Sequence, residues 1–326
     1  MAVARPKMIG NSPIFQHTLE LIGRMARYDA PVLIQGETGT GKELAARAIH
    51  YQSPRRSAPF IPLNCGALPE GLIESELFGA ERGAYTDARD TRTGLVAMAE
   101  GGTLFLDEID SLAVRAQVSL LRFLQDHSYR PVGGKRECRG DVRVVAAASP
   151  RLDELLSRGA FRDDLAFRLN VLRLEMPPLR AREGDAELLA ENFVAHHARQ
   201  YGLPGRALDP GCRDWLANYA WPGNVRELDN RVQRALLLSD DGPLRLAPDE
   251  PAHARAPALA ARADAPRAFN EARDQAMQCF ERAYLQQLMA SAGGNVTQAA
   301  RLAGKERRSL GKLLKKHGIG RAAETR

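Results

Sequence analysis

The chain has no run of about 18 apolar residues, the length a membrane-spanning helix requires, and its first residues, MAVARPKMIGNSPIF, contain no apolar stretch of the kind a secretory signal carries. Cysteine is scarce: Cys65, Cys138, Cys212 and Cys279 stand far apart with no CxxC pair. That spacing fits neither a zinc site nor a disulfide framework, and points to reduced thiols in a cytoplasmic protein. No internal repeat is apparent. Excess charge is also nearly absent from most of the sequence. The whole chain carries 46 Lys+Arg against 40 Asp+Glu, and residues 269–326 alone hold 11 against 5. The first 268 residues are therefore balanced, and the basic excess belongs to the last sixth, as in a separate polyanion-binding module.

What is present is a 326-residue chain, 44% hydrophobic and 26% charged, long enough for two or three domains. Short apolar runs at 31–35, 60–64, 102–107 and 142–148 read as buried strands, and helical spacing lies between them at 42–50, 69–78 and 113–125. This alternation predicts an α/β fold with a mostly parallel sheet. After Leu179 the pattern is helical only, at about 186–201, 210–219 and 223–238, which predicts a small all-α subdomain. Residues 247–268, biased to Ala, Pro and Arg, read as a linker. The expected organisation is an α/β core over 1–180, a helical lid over 181–246, the linker, and a DNA-binding module over 269–326.

The strand PVLIQ runs into Gly36-Glu37-Thr38-Gly39-Thr40-Gly41-Lys42-Glu43, and a helical pattern follows. Strand, glycine-rich turn and helix N-terminus form the context in which GxxxxGK cradles phosphates on backbone N–H groups, with Lys42 reaching the outer phosphates. Glu43 stands where the general pattern has the hydroxyl that binds Mg²⁺. A second apolar strand, Gly102 to Leu106, ends in Asp107 and Glu108. One carboxylate suits Mg²⁺ (Asp107) and the other polarises the attacking water (Glu108). ATP with Mg²⁺ is the expected cofactor pair.

Near the end, a helical pattern from Glu271 includes Met277, Phe280, Tyr284, Leu285, Leu288 and Met289. Asn295 can cap a helix over 296–303, Gly304 turns the chain, and a third helix over about 306–317 places Leu310, Leu313 and Leu314 inward. Arg308, Lys312, Lys315 and Lys316 then face outward, as in a recognition helix for duplex DNA.

The motifs GETGTGKE, ESELFGAERGAYTDA, GGTLFLDEID, FRDDLAFRLNVLRLEMPPLR and WPGNVRELDN, in this order, resemble the AAA+ domain of sigma-54-dependent transcription activators, and GGNVTQAARLAG resembles their Fis-type helix-turn-helix. The likeness covers about 6–240 and 270–319. It implies an AAA+ P-loop NTPase core with a small all-α lid and a C-terminal helix-turn-helix, assembled as a ring, usually a hexamer, with ATP between neighbours. It also implies a dimer on DNA through 270–291. Glu43 is then the residue the family carries after the lysine. Asn64 matches a residue that holds and releases Glu108, Arg162 and Arg168 match arginine fingers given to the next subunit, and Arg226 matches the sensor of the lid. Tyr85 and Thr86, in Gly83-Ala84-Tyr85-Thr86-Asp87-Ala88, match the loop that contacts sigma-54.

The implied function is an ATP-dependent activator that binds enhancer-type DNA and remodels sigma-54 RNA polymerase holoenzyme to the open complex. Two departures keep a second reading open, a DNA-binding regulator on the same scaffold that acts without sigma-54. Asp87 replaces a glycine of the loop, and Ala148 replaces a threonine near the γ-phosphate. Strand alternation is expected to turn the following Ser149 away from the site. Only 35 residues precede the P-loop, so no regulatory domain is expected ahead of it, and control by abundance, by a trans-acting partner or by assembly itself is the implied alternative. Likewise, Lys305-Glu306 and Gly311 depart from the family's helix-turn-helix.

Overall fold

The computed structural model describes residues 8–69, 71–84, 91–239, 242–246, 281, 284–285, 288–289, 292, 295–305 and 307–317. The chain divides into two compact units, Met1–Glu250 and Pro251–Arg326.

In the first unit, five parallel strands form a sheet in the order β2 (Phe60–Asn64), β3 (Thr103–Asp107), β6 (Arg143–Ala148), β1 (Val32–Gln35), β7 (Leu172–Glu175). β1 and β6 are buried along their whole length, and so are the first four residues of β3, as continuous apolar runs in a sheet covered on both faces must be. One face packs against α1 (Pro13–Met25) and α2 (Lys42–Tyr51), with Phe15, Ile22, Ile34, Ile49, Phe105 and Leu174 in the layer between. The other face packs Leu104, Leu106, Val144 and Ala146 against α3 (Ile73–Phe78), α5 (Val114–Asp126) and α7 (Asp163–Leu169). α4 (Leu95–Met98) and α6 (Arg151–Ser157) are short connections, and β4 (Ser128–Tyr129) pairs with β5 (Cys138–Arg139) in a separate antiparallel hairpin. The expected strands are all present. β7 and α1 are additions to the sequence reading.

The remaining helices of this unit, α8 (Asp185–Tyr201), α9 (Arg213–Asn218) and α10 (Asn224–Leu238), enclose a core of their own around Trp221, Leu189, Leu216, Leu228 and Val232. An internal ion pair ties the start of α8 to the segment before α1. Arg182 donates to Asp185 at 2.8 Å and to the carbonyl of Ile9, and its guanidinium lies 3.6 Å over the Phe15 ring. Asp185 in turn accepts from the N–H groups of Asn11 and Ser12. Both side chains are almost fully buried, and the full set of donors is what makes a buried pair tolerable. Burial raises the Asp185 carboxyl, but Asn11, Arg182 and Ser12 together hold it below its usual value.

In the second unit, Asn295 caps the Val296–Leu302 helix by accepting from Thr297 and Gln298 N–H, and Gly304 turns with φ +60° into the Arg307–Lys316 helix. Leu310 and Leu314 are buried with Leu285, Leu288, Met289 and Ala299 around them. Met277, Phe280 and the expected linker lie outside the described residues. Gly311 has no φ constraint and nothing within 4 Å of an added Cβ. Gly311→Ala is therefore expected to stabilise this unit by about 1 kcal/mol through helix propensity. Chemical denaturation followed by circular dichroism checks this; no gain would mean the helix does not persist at 311.

Candidate functional site

The C-terminal ends of β1 and β3 and the first turn of α2 open into a cleft of about 940 Å³ that continues under the lid. Glu37 to Glu43, Asp107, Glu108, Asp110, Ser149 and Arg226 line its polar part, and Met8, Ile9, Phe15, Leu189, Phe193 and Val225 its apolar part. An open end of a parallel sheet beside a helix N-terminus is where this class of fold binds ligands.

The P-loop conformation depends on glycine at two positions. Gly39 and Gly41 have φ of +81° and +95°, and a Cβ on Gly39 would meet the Gly223 carbonyl at 2.2 Å. The loop is thus pressed against the lid. Lys42 donates to the carbonyls of Gly36 (2.7 Å) and Glu37 (3.1 Å). Burial lowers the Lys42 ammonium and raises the Asp107 carboxyl, and the charge of each opposes the other's shift. Asp107 accepts the Glu108 N–H at 3.0 Å. Glu43, exposed at the edge of the cleft in the first turn of α2, pairs with Arg47 at 2.8 Å.

Glu108 has φ +53°, a left-handed conformation that costs a non-glycine residue roughly 1–2 kcal/mol. The strain aims its carboxylate back over β2, where a Cβ on Gly66 would lie 2.3 Å from Oε2. Asn64 is paired in register with Asp107, but its Oδ1 accepts from Gly66 and Ala67 N–H and caps the turn after β2. No hydrogen bond between Asn64 and Glu108 occurs among the described residues. Near these carboxylates, burial pushes the Cys65 thiol up to about 12, so it stays neutral in the core behind the site.

Ala148 is fully buried in the sheet core, whereas Ser149 lines the cleft. Strand alternation does not reach Ser149, because β6 ends at Ala148. The Ser149 hydroxyl is committed to Asp110, donating at 2.7 Å.

Arg226 stands in the cleft, its Cβ 3.1 Å from where a Gly39 Cβ would sit. Arg162 and Arg168 do not line it. Arg162 precedes α7 and forks onto Asp164 at 3.0 and 2.7 Å, while Arg168 donates to the Leu124 carbonyl at 3.4 Å. Both are exposed, about 9 Å apart along the helix axis. Tyr85, Thr86 and Asp87 lie outside the described residues. Arg308, Lys312 and Lys315 are exposed on the Arg307–Lys316 helix, as is Lys316, which pairs with Glu281 at 3.2 Å.

Sequence reasoning missed the contact that holds the lid to the P-loop. Asn224 is fully buried with φ +52°, and all of its amide is used. Its Oδ1 accepts from Leu179 N–H at 2.8 Å, and its Nδ2 donates to Glu37 (3.1 Å) and the Thr38 carbonyl (3.0 Å). Beside it, Arg180 makes a two-pronged contact with Glu37 at 2.5 and 2.8 Å, and Val225 N–H donates to the Gly39 carbonyl. Arg180 above all, with Asn224, holds the Glu37 carboxyl down at about 2 from an ordinary 4.5. The stabilisation is therefore complete above pH 4.5 and disappears as pH falls toward 2. Glu37→Gln is expected to flatten the acid limb of unfolding in that window and to lower stability at neutral pH toward the level both proteins reach near pH 2. Equal acid limbs in the two proteins would contradict it.

Comparison with known proteins agrees with this geometry. Residues 8–175 match the family described as Sigma-54 interaction domain, 180–258 match AAA+ ATPase lid domain, and 277–317 match Bacterial regulatory protein, Fis family. The response regulator protein PilR of Pseudomonas aeruginosa is 42% identical over 313 residues, covering 96% of this chain and 70% of PilR. The DNA-binding transcriptional regulator NtrC of Salmonella typhimurium is 42% identical over 331 residues, with the same coverage of both chains. The crystal structure of NtrX from Brucella abortus in complex with ATP superposes with a TM-score of 0.72 at 33% identity, over 96% of this chain and 69% of NtrX. The nitrogen fixation protein AnfA of Azotobacter vinelandii is 39% identical, and there the chain spans 57% of the relative. Glycine-loop cleft, acidic strand end, helical lid and Fis-type helices together establish that this chain belongs to the sigma-54 activator family, as an AAA+ P-loop ATPase with a C-terminal helix-turn-helix.

Proposed function

We propose that the chain is a cytoplasmic activator that binds enhancer-type DNA through residues 269–326 and spends ATP in its 1–246 region to remodel sigma-54 RNA polymerase. The observation that carries this reading is the division of polar groups. One copy supplies the P-loop, Asp107, Glu108 and Arg226 to its cleft, while its Arg162 and Arg168 stand exposed elsewhere. A ring in which each copy presents these arginines to its neighbour's cleft would complete the site, since an always-charged planar group stabilises charge on the transferred phosphoryl group.

Mg²⁺ fits Asp107. This half-buried carboxylate has its raised pKa from desolvation and accepts only one backbone N–H, so a divalent cation would offset the burial. No three His, Cys, Asp or Glu side chains among the described residues could hold a metal by themselves, and an ion bound mainly by phosphate and water needs no more than one or two. Held there, such an ion would supply charge neutralisation to the triphosphate. In the same site Lys42 orients the phosphates, Glu108 accepts a proton from the attacking water, and Asn64 lies beside Asp107 to respond to the nucleotide. Tyr85 and Thr86 then carry the motion to sigma-54.

Complementation tests the shared site. Lys42→Ala and Arg168→Ala proteins, each inactive alone, are expected to regain ATP turnover when mixed, because some junctions then join an intact P-loop to an intact finger. A mixture as inactive as its components would overturn the ring reading. If the mixture hydrolyses ATP but gives no open complex until Asp87→Gly is introduced, the regulator that acts without sigma-54 is the better account.

A further inference from the structure

The β4–β5 hairpin is a cationic surface segment in a first unit whose sequence is otherwise nearly charge-balanced. Residues 128–139, SYRPVGGKRECR, contain four basic side chains and one acidic. Arg130, Lys135, Arg136 and Arg139 are all exposed, and none has a carboxylate partner among the described residues. The acid, Glu137, accepts from the Ser128 hydroxyl at 3.0 Å within the hairpin.

The hairpin is fastened to the base of the 83–88 insertion. Val132 N–H donates to the Gly79 carbonyl at 2.8 Å and Glu81 N–H donates to the Val132 carbonyl at 3.0 Å. Gly133, with φ +75°, leaves room for Ala84, which a Cβ would meet at 2.8 Å. Below them the Tyr129 and Phe78 rings stack with centroids 5.8 Å apart. Apolar side chains of the hairpin are turned into this stem, and no large apolar residue between 128 and 139 is exposed. A protein-binding surface is built around aromatic or aliphatic anchors. Phosphate contact needs cations alone, which attract polyanions by counterion release.

We propose that the Arg130, Lys135, Arg136 and Arg139 hairpin binds the phosphate backbone of duplex DNA without regard to sequence, giving the ATPase unit its own DNA contact beside the insertion. The proposal rests on the reading of the chain as a transcription activator, but it is independent of DNA binding by the second unit.

The test measures full-length protein binding to a fluorescent duplex of arbitrary sequence across a salt series. Four proteins are compared: unaltered; Arg130→Gln/Lys135→Gln/Arg136→Gln/Arg139→Gln; Arg308→Gln/Lys312→Gln/Lys315→Gln; and all seven together. Removing one cation that neutralises a phosphate lowers the slope of log affinity against log salt by about 0.9, so removing the four hairpin cations is expected to reduce it by about 3.6, in either background. ATP turnover should be unchanged, which verifies folding. Equal slopes and affinities with and without the hairpin cations would overturn the proposal. So would a fall in promoter output at an unchanged slope, because the partner would then be protein. If only the hairpin set weakens binding, the proposal stands and the DNA role of the Arg307–Lys316 helix falls.

Discussion

Replacing Glu108 with glutamine is expected to lower ATP turnover by about 10²- to 10⁴-fold, the usual contribution of a positioned general base, while nucleotide affinity stays within a few-fold of the unaltered protein. The expectation follows from where the structure puts the carboxylate. Glu108 stands outside the P-loop and bears no phosphate-binding role, yet the chain holds it at φ +53° at the mouth of the cleft. A conformation that costs energy persists where its surroundings enforce it, and Glu108 directly follows the end of β3, with Gly66 leaving room for its carboxylate. Glutamine keeps size and hydrogen bonding but cannot accept the proton. Single-turnover hydrolysis alongside equilibrium nucleotide binding separates the two effects. A parallel fall in both would mean Glu108 acts in binding, and no fall in turnover would remove it from the reaction.

Asn224→Leu is expected to produce the second large effect. Leucine branches at the same carbon as asparagine and has as many side-chain heavy atoms, so the shape is nearly kept while the hydrogen bonding goes. It strands the Leu179 N–H and the Thr38 carbonyl in a buried place, each at about 1–3 kcal/mol, and adds roughly 1–2 kcal/mol for φ +52°. A destabilisation of the first unit by about 3–8 kcal/mol is the sum expected from those two principles. Asn224→Gly relieves the backbone but keeps the amide missing, so it should recover only the φ portion. Denaturant midpoints of the three proteins measure this directly. If Asn224→Gly is as stable as the unaltered chain, the amide contributes nothing and the lid is held to the P-loop by other contacts.

These two residues illustrate how far the sequence could be read. Glu108 was legible because local order carries it: an apolar strand ending in two acids keeps its meaning without knowledge of distant parts. β1, β2, β3 and β6 were legible for a related reason, since runs such as VLIQ and TLFLD signal strands buried on both faces. β7, LRLE, is an edge strand with only one of its residues fully buried, and its polar alternation conceals it. α1 was readable yet unread, for Phe15, Thr18, Ile22 and Met25 recur at helical spacing. Asn224 was visible only as part of a motif with Arg226. Its function depends on a left-handed backbone and on partners 186 and 187 residues away, and no local pattern encodes them. Ser149 shows the converse error, a strand rule applied one residue beyond the strand's end.

The lid contact also gives a physical route from nucleotide to lid. Gly39 touches both Gly223 and Arg226, and Glu37 is bound by Arg180 and Asn224. The P-loop and the start of α10 are thus joined by a continuous set of hydrogen bonds.

Under the proposed function, ATP turnover at Glu108 would drive opening of promoter DNA. The most direct measurement is open-complex formation on a supercoiled sigma-54 promoter template with sigma-54 holoenzyme, ATP and either the unaltered chain or Glu108→Gln. The account predicts open complexes with the first and none above background with the second, although both bind nucleotide and DNA. Equal yields from the two proteins would contradict it.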